Sequence, residues 1–305
     1  MKTLLGPESI KRRALVTGIS GFTGKYVADE LAQAGFAVYG TGTTDFGSSE
    51  RYHRVSMEDF AGLRQVVEEV QPQAVVHLAA KAFVAHGNAG EFYTTNLIGT
   101  RNLLEALAGL RVLPECVVIA SSANIYGNTA EGLLAETTTP NPANDYAVSK
   151  LAMEHMANLW RHKLPIVIVR PFNYTGVGQS ENFVVAKIAA HYRHRAERIE
   201  LGNLDVWRDF CDVRSVAQAY RRLVEVKPVD ATVNICSGVA YSLRQVLGFA
   251  ESITGHRLEV TVNPSFVRAS EVQYLCGDPG LLRRLIGEWQ PIPLQETLRW
   301  MTQAT

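Results

Sequence analysis

One stretch near the start constrains this chain more than any other. Arg13-Ala14-Leu15-Val16-Thr17 is a short apolar run, and Gly18-Ile19-Ser20-Gly21-Phe22-Thr23-Gly24 follows it at once. Tyr26, Val27, Leu31 and Ala34 then recur at helical spacing, up to Gly35. Read together, these are a strand, a glycine-rich turn and a helix. Gly18, Gly21 and Gly24 let the backbone turn tightly and approach a ligand closely, while the helix N-terminus offers N–H groups to an anion. A glycine triplet alone is a weak signal. Set between strand and helix, it predicts the phosphate cradle of a dinucleotide fold.

The alternation continues downstream. A second strand is expected over 36–40, a helix over 61–70, and a buried strand over 74–80. That strand ends in Leu78, Ala79 and Ala80, small enough at its tip for a cofactor to come close. A long helix over 91–107 has Asn96, Gly99, Leu103 and Leu104 on its inner stripe. Cys116–Ala120 is another buried strand, delivering Ser121-Ser122 at its carboxyl end. A helix over about 145–161 and a strand over 166–171 close the series. Strands alternating with helices predict an α/β protein with a Rossmann-type, doubly wound parallel sheet. Its ligands belong at the carboxyl ends of the strands.

Beyond Pro171 the pattern loosens. Helices are expected over 182–195 and 213–224, with a short strand and turn over 199–204. A strand over 232–236 is expected to return to the main sheet. Residues 1–171 thus read as the dinucleotide-binding domain and 172–305 mainly as a smaller C-terminal α+β substrate lobe.

Tyr146 and Lys150 stand four apart on one helix face, where an ammonium would ease ionisation of the phenol for proton transfer. The residue that would grip a ribose 2′-hydroxyl falls at Gly42, flanked by Thr41, Thr43 and Thr44. No carboxylate stands there, Asp45 is too far along, and no arginine lies in this stretch to meet a 2′-phosphate. The residues therefore leave NADP(H) and NAD(H) both open, and NADPH is expected to serve at least as well as NADH.

Composition sets the outer limits. With 30 basic and 30 acidic residues the formal net charge is zero, so nothing points to a nucleic acid or a membrane surface. No apolar run approaches the roughly 20 residues of a membrane span, and residues 1–13 lack the apolar core of a signal peptide. Cys116, Cys211, Cys236 and Cys276 are scattered, as in a reduced cytoplasmic protein. His77 has no partner at metal-ligand spacing, so no metal site is expected.

Three blocks carry a resemblance. Thr17-Gly18-x-x-Gly21-Phe22-x-Gly24, Ser121-Ser122-Ala123-Asn124-Ile125-Tyr126-Gly127 and Tyr146-x-x-x-Lys150 together resemble the extended short-chain dehydrogenase/reductase family, over nearly the whole chain. The resemblance implies a nicotinamide cofactor, a nucleotide-sugar substrate and a homodimer paired through helices near 91–107 and 146–161. It implies that Ser122 positions the reacting oxygen and Tyr146 is the acid/base. Lys150 would hold the nicotinamide ribose and lower the phenol's pKa. Gly18, Gly21, Phe22, Thr23, Gly24, Thr43, Leu78, Ala79 and Ala80 would line the cofactor.

The second half is similar to the GDP-sugar branch, which includes GDP-mannose dehydratases and GDP-4-keto-6-deoxymannose reductases. The blocks are Arg170-Pro171-Phe172-Asn173-Tyr174-Thr175-Gly176, Leu201-Gly202-Asn203-Leu204-Asp205-Val206-Trp207-Arg208-Asp209, Arg268-Ala269-Ser270-Glu271-Val272 and Gly277-Asp278-Pro279. This implies diphosphate contacts at Arg208 and Arg268, and Asn173 at the sugar-phosphate end. Glu271 would meet a ribose hydroxyl, Lys187 would add positive charge, and Asn124 would lie by the sugar. Dehydratases of this branch carry a glutamate two residues after the catalytic hydroxyl, where Asn124 cannot accept a proton. The epimerase-reductases carry a cysteine where Ala123 stands. The expected reaction is reduction of the C4 carbonyl of a GDP-4-keto-6-deoxy sugar, from GDP-4-dehydro-6-deoxy-D-mannose to GDP-D-rhamnose. A GDP-mannose 4,6-dehydratase or a nucleotide-sugar 4-epimerase is the alternative.

Overall fold

The computed structural model describes residues 11–45, 49–82, 88–127, 132–267 and 272–304. The first half runs β1 (Arg13–Thr17), α1 (Phe22–Gln33), β2 (Ala37–Gly42), β3 (Tyr52–Arg54), α2 (Phe60–Val70) and β4 (Ala74–His77). It continues with α3 (Ala89–Phe92), a π turn (Tyr93–Ile98), α4 (Gly99–Ala108), β5 (Cys116–Ala120), α5 (Asp145–Asn158) and β6 (Ile166–Pro171). The second half has β7 (Asn173–Thr175), α6 (Val184–Arg193), β8 (Arg198–Leu201), β9 (Trp207–Asp212), α7 (Val213–Val226) and β10 (Thr232–Ile235). Last come β11 (Ala240–Ser242), α8 (Leu243–Thr254), β12 (Glu259–Val262), β13 (Tyr274–Leu275), α9 (Gly280–Ile286) and α10 (Leu294–Gln303).

Seven parallel strands form the main sheet in the order β10-β6-β5-β4-β1-β2-β3. The fold is a Rossmann-type α/β architecture. Its inner strands, LVT of β1, AVVH, CVVIA and IVIVRP, are apolar nearly throughout because helices cover both faces. One face packs Val27, Leu31, Val216, Tyr220, Leu223 and Leu282. The other packs Leu63, Val67, Leu103, Leu107, Met153 and Ala157. Side chains start the helices where the sequence allows: Asp59 accepts from Gly62 N at 2.9 Å, and Asn144 from Ala147 N at 2.9 Å. Ser242 and Gln245 form a reciprocal capping box at α8.

The chain reverses its winding at β1, with β2 on one side and β4 on the other. The turn after β1, the tip of β4 and Ser121-Ser122 after β5 therefore share the carboxyl edge, at the switch point where such sheets bind ligands. Above this edge, β9 joins β7, β11 and β13, while β8 pairs with β12. A separate apolar core, including Ile188, Tyr192, Ile199, Phe210, Val246 and Leu298, supports them. Buried Asp209 on β9 ties this part to the main sheet, accepting from Ser237 N at 2.9 Å and Gly238 N at 2.8 Å just after β10.

Two local features depart from the sequence reading. The helix expected over 91–107 widens into the π turn, because Asn96 is drawn inward to bond Lys81 and Ser149. β3 is an additional strand, with only three half-exposed or exposed polar-tipped residues and hence no hydrophobic alternation to reveal it.

Candidate active site

Ser122 sits in extended backbone (φ −161°) just past β5, and its Oγ accepts from Asn124 N at 3.2 Å. α5 brings Tyr146 to it, close enough for the Ser122 hydroxyl to lower the phenol's pKa, and the Tyr146 ring meets Phe92 edge-on at 6.0 Å. Lys150, one turn on, donates from Nζ to Ala120 O at 2.8 Å. All three side chains are buried.

Burial shifts both titrating groups towards their neutral forms without changing either at neutral pH. It pushes the Tyr146 phenol up to about 12, against a smaller lowering by the Ser122 hydrogen bond. Burial likewise lowers Lys150 to about 8, with the Glu154 carboxylate opposing the shift. The expectation that Lys150 makes Tyr146 easier to ionise is corrected here. One N–H of the ammonium goes to a backbone carbonyl, and desolvation of the phenol dominates. At neutral pH the site holds a neutral phenol beside an ammonium.

Beneath them lies a buried polar foundation. Glu154 takes both Nε (3.0 Å) and Nη2 (2.7 Å) of Arg170, whose Nη1 reaches Tyr126 Oη and Glu136 O, each at 3.0 Å. Tyr126 Oη in turn donates to Asn234 Oδ1 at 2.8 Å. This fork-to-fork pair fixes α5 against β6, and so fixes where Tyr146 and Lys150 stand.

A second chain runs under the glycine turn. Thr100 Oγ1 gives its proton to Asn96 O (2.6 Å), so it accepts from His77 Nε2 (2.8 Å). His77 Nδ1 therefore accepts from Thr17 (2.6 Å), whose Oγ1 receives Leu78 N and Ala79 N at 3.2 Å each. Burial, with Lys150 nearby, lowers His77 to about 3, in keeping with this neutral tautomer.

The residues at this edge fit a dinucleotide. Gly18 has φ +69°, and a Cβ on it would lie 2.9 Å from Ala79 N. A Cβ on Gly24 would lie 2.3 Å from Gly18 O. No side chain caps α1, which leaves its first N–H groups for a pyrophosphate. Ser121 Oγ is buried without a hydrogen-bond partner at the same edge. Phe22 stacks on Tyr174 (centroids 6.1 Å apart), and Thr23 Oγ1 meets Tyr174 Oη at 2.7 Å. Leu78, Ala79 and Ala80 are half-buried beside the turn, and Thr43 is exposed beyond it.

The expected substrate residues are more dispersed. Asn124 is half-buried next to Ser122, and Asn173 is exposed at the start of β7. Arg208 donates to Trp207 O, Gln273 O and Val272 O, while Lys187 Nζ donates to Glu200 O (2.7 Å) and lies over the Phe266 ring (5.1 Å). Lys187 thus lies at Phe266, and Arg208 at Val272 and Gln273. Arg268 and Glu271 lie outside the described residues.

Residues 15–301 match the GDP-mannose 4,6-dehydratase family. The chain belongs to that family. A GDP-6-deoxy-D-talose 4-dehydrogenase of Aggregatibacter actinomycetemcomitans is 37% identical, over 90% of this chain and 91% of its own. A GDP-6-deoxy-D-mannose reductase of Pseudomonas aeruginosa is 34% identical, over 94% and 95%. A solved Burkholderia cenocepacia protein, named provisionally as an epimerase, is 51% identical with a TM-score of 0.91, covering 96% of this chain and 97% of its own. Complexes with NADPH and with NAD both occur among solved neighbours. As a GDP-mannose 4,6-dehydratase family member of the extended short-chain dehydrogenase/reductase type, the chain is an NAD(P)-dependent enzyme.

Within this family member, three residues near the site had no functional reading in the sequence. The His77 chain was legible only as a core histidine. Asn96 was legible only as an inner-stripe residue. Arg54 lies on β3 and donates from Nε to Thr43 O at 3.1 Å. The stretch after β2 therefore does have an arginine beside it, which corrects the reading from local sequence. Its only signal there was a basic residue near the end of a segment with no strand pattern.

Proposed function

We propose that this enzyme reduces the C4 carbonyl of GDP-4-dehydro-6-deoxy-D-mannose to give GDP-D-rhamnose. Residues 1–171 serve chiefly to hold the dinucleotide, and 172–305 chiefly the nucleotide sugar. One observation supports the reading most: α5 sets Tyr146 beside Ser122, and both carboxylates flanking them on that helix already accept hydrogen bonds. Asp145 accepts from Tyr93 Oη at 2.9 Å, and Glu154 is held by Arg170. Position 124, the place of the dehydratase glutamate, is an asparagine.

A bound nicotinamide supplies the hydride. Ser122 orients the carbonyl oxygen, and Tyr146 donates its proton to that oxygen as negative charge develops. A neutral phenol, further from ionisation when buried, is in the proton-donating state a reductase needs. Lys150 holds the cofactor ribose and restores positive charge beside the phenol as it gives up its proton. Arg208 and Arg268 bind the diphosphate, Lys187 adds charge, Asn124 and Asn173 contact the sugar end, and Glu271 accepts from a ribose hydroxyl. The enzyme works as a cytoplasmic homodimer paired through the stretches that contain α4 and α5, where Ile98 at the end of the π turn, Val148 on α5 and Leu159 just past α5 are exposed.

The second reading is the C4 epimer, GDP-6-deoxy-D-talose, favoured by the name of the 37% identical relative. Purified protein with the keto sugar and NADPH is expected to oxidise NADPH stoichiometrically, and proton NMR of the product should show the rhamno configuration. The talo configuration would move the assignment to the second reading. Conversion of GDP-mannose in the absence of keto sugar would overturn both.

A further inference from the structure

The carboxyl tips of β2 and β3 carry an arrangement that the reaction itself does not use. β2 and β3 pair with Gly42 abreast of Arg54, so Arg54 stands on the sheet face that a side chain at position 42 would share. Position 42 is where a carboxylate gripping a ribose 2′-hydroxyl would be expected. Here it is a glycine, and a Cβ there would lie 2.8 Å from Tyr52 Oη and 2.9 Å from Ser20 Oγ, so a carboxylate would have to displace these hydroxyls. Those hydroxyls are themselves linked around the β2 tip, Tyr52 Oη donating to Thr44 O, and Thr44 Oγ1 to Ser20 Oγ at 3.2 Å. Ser20 belongs to the glycine turn, so this hydroxyl cluster borders the cradle.

Arg54 makes two bonds, both to neighbours at the β2 tip. Its Nε donates to Thr43 O at 3.1 Å, and its Nη1 meets Asp45 Oδ1 at 3.0 Å. The Asp45 side chain is 89% exposed and that of Arg54 65%. A guanidinium braced by a carbonyl, with hydroxyl donors beside it, offers a fork suited to phosphate oxygens. An exposed carboxylate paired with it is only weakly held.

We propose that Arg54 receives the 2′-phosphate of an NADP-type cofactor, and that Asp45 is a built-in anionic competitor occupying the same guanidinium. Cofactor choice is then set by exchange. A phosphate dianion displaces the Asp45 carboxylate, whereas a ribose 2′-hydroxyl leaves the Arg54–Asp45 pair intact and gains nothing from it. The two substitutions have opposite signs: loss of Arg54 removes the receptor, and neutralising Asp45 frees it. This rests on dinucleotide binding and is independent of which sugar is reduced.

The test is calorimetric titration of the purified protein with 2′,5′-ADP and, separately, with 5′-ADP, in the absence of sugar. Arg54→Gln is expected to weaken 2′,5′-ADP about 10- to 100-fold and to leave 5′-ADP within about twofold. Asp45→Asn is expected to tighten 2′,5′-ADP about three- to tenfold, with 5′-ADP unchanged and the gain shrinking at high salt. Thermal melting should match wild type for both, as both side chains are exposed. Equal changes for the two probes, or none, in Arg54→Gln would overturn the receptor. Unchanged or weaker 2′,5′-ADP binding in Asp45→Asn would overturn the competitor. Because no sugar is present, neither outcome depends on the reductase reading.

Discussion

The two ends of the carboxyl edge each use an arginine–carboxylate pair, and they use it in opposite ways. Under the catalytic residues, Arg170 and Glu154 are buried, with side chains 9% and 6% exposed, and further bonds run to Tyr126 and Glu136. At the β2–β3 tips, Arg54 and Asp45 face solvent and share one hydrogen bond. The buried pair cannot exchange partners without stranding a charge, so it acts as a fixed foundation. The exposed pair can exchange with little loss, which suits selection of a ligand. Tyr146, Lys150 and His77 are all displaced by burial.

The largest expected effect tests whether the buried end carries the chemistry. Tyr146→Phe should lower kcat by about 10²- to 10⁴-fold, because only the proton donor is removed. NADPH affinity, measured by fluorescence titration, should stay within about threefold. Retained turnover would move the acid away from this residue.

Next in size is a direct comparison of the two pairs in urea unfolding. Glu154→Ala should cost about 3–5 kcal/mol by leaving Arg170 buried without its partner. Asp45→Ala should cost less than about 1 kcal/mol. Similar losses at both sites would erase the distinction between foundation and exchangeable pair.

The smallest effect concerns acid. His77 is held near 3 in the fold, against an unperturbed 6.5. Between those values the unfolded chain binds a proton that the folded chain does not. The stability His77 contributes is therefore whole above 6.5 and lost as pH falls towards 3. Wild type should lose melting temperature between about pH 7 and pH 5, and His77→Gln should lose less over the same interval. Parallel curves would show that other groups govern acid sensitivity.

The glycine turn and the Tyr146–Lys150 spacing were legible because each depends on neighbours within a few residues. The alternating strands were legible because a parallel sheet buried on both faces demands continuous apolar runs. The π turn was not, since nothing within 93–98 announces a bond from Asn96 to Lys81 and Ser149, 15 and 53 residues away. Charge type alone did not say what Lys187 and Arg208 hold; folding gives both of them backbone carbonyls.

By itself, then, the sequence determined the strand–turn–helix unit, the spacing of the candidate catalytic side chains and the class of fold, all properties of local pattern. Only the tertiary structure decided that Arg54 stands beside Gly42, that Asp45 faces it, and that burial pushes the Tyr146 phenol up to about 12. Strand register and desolvation are set by residues remote in the chain, and no local spacing records them.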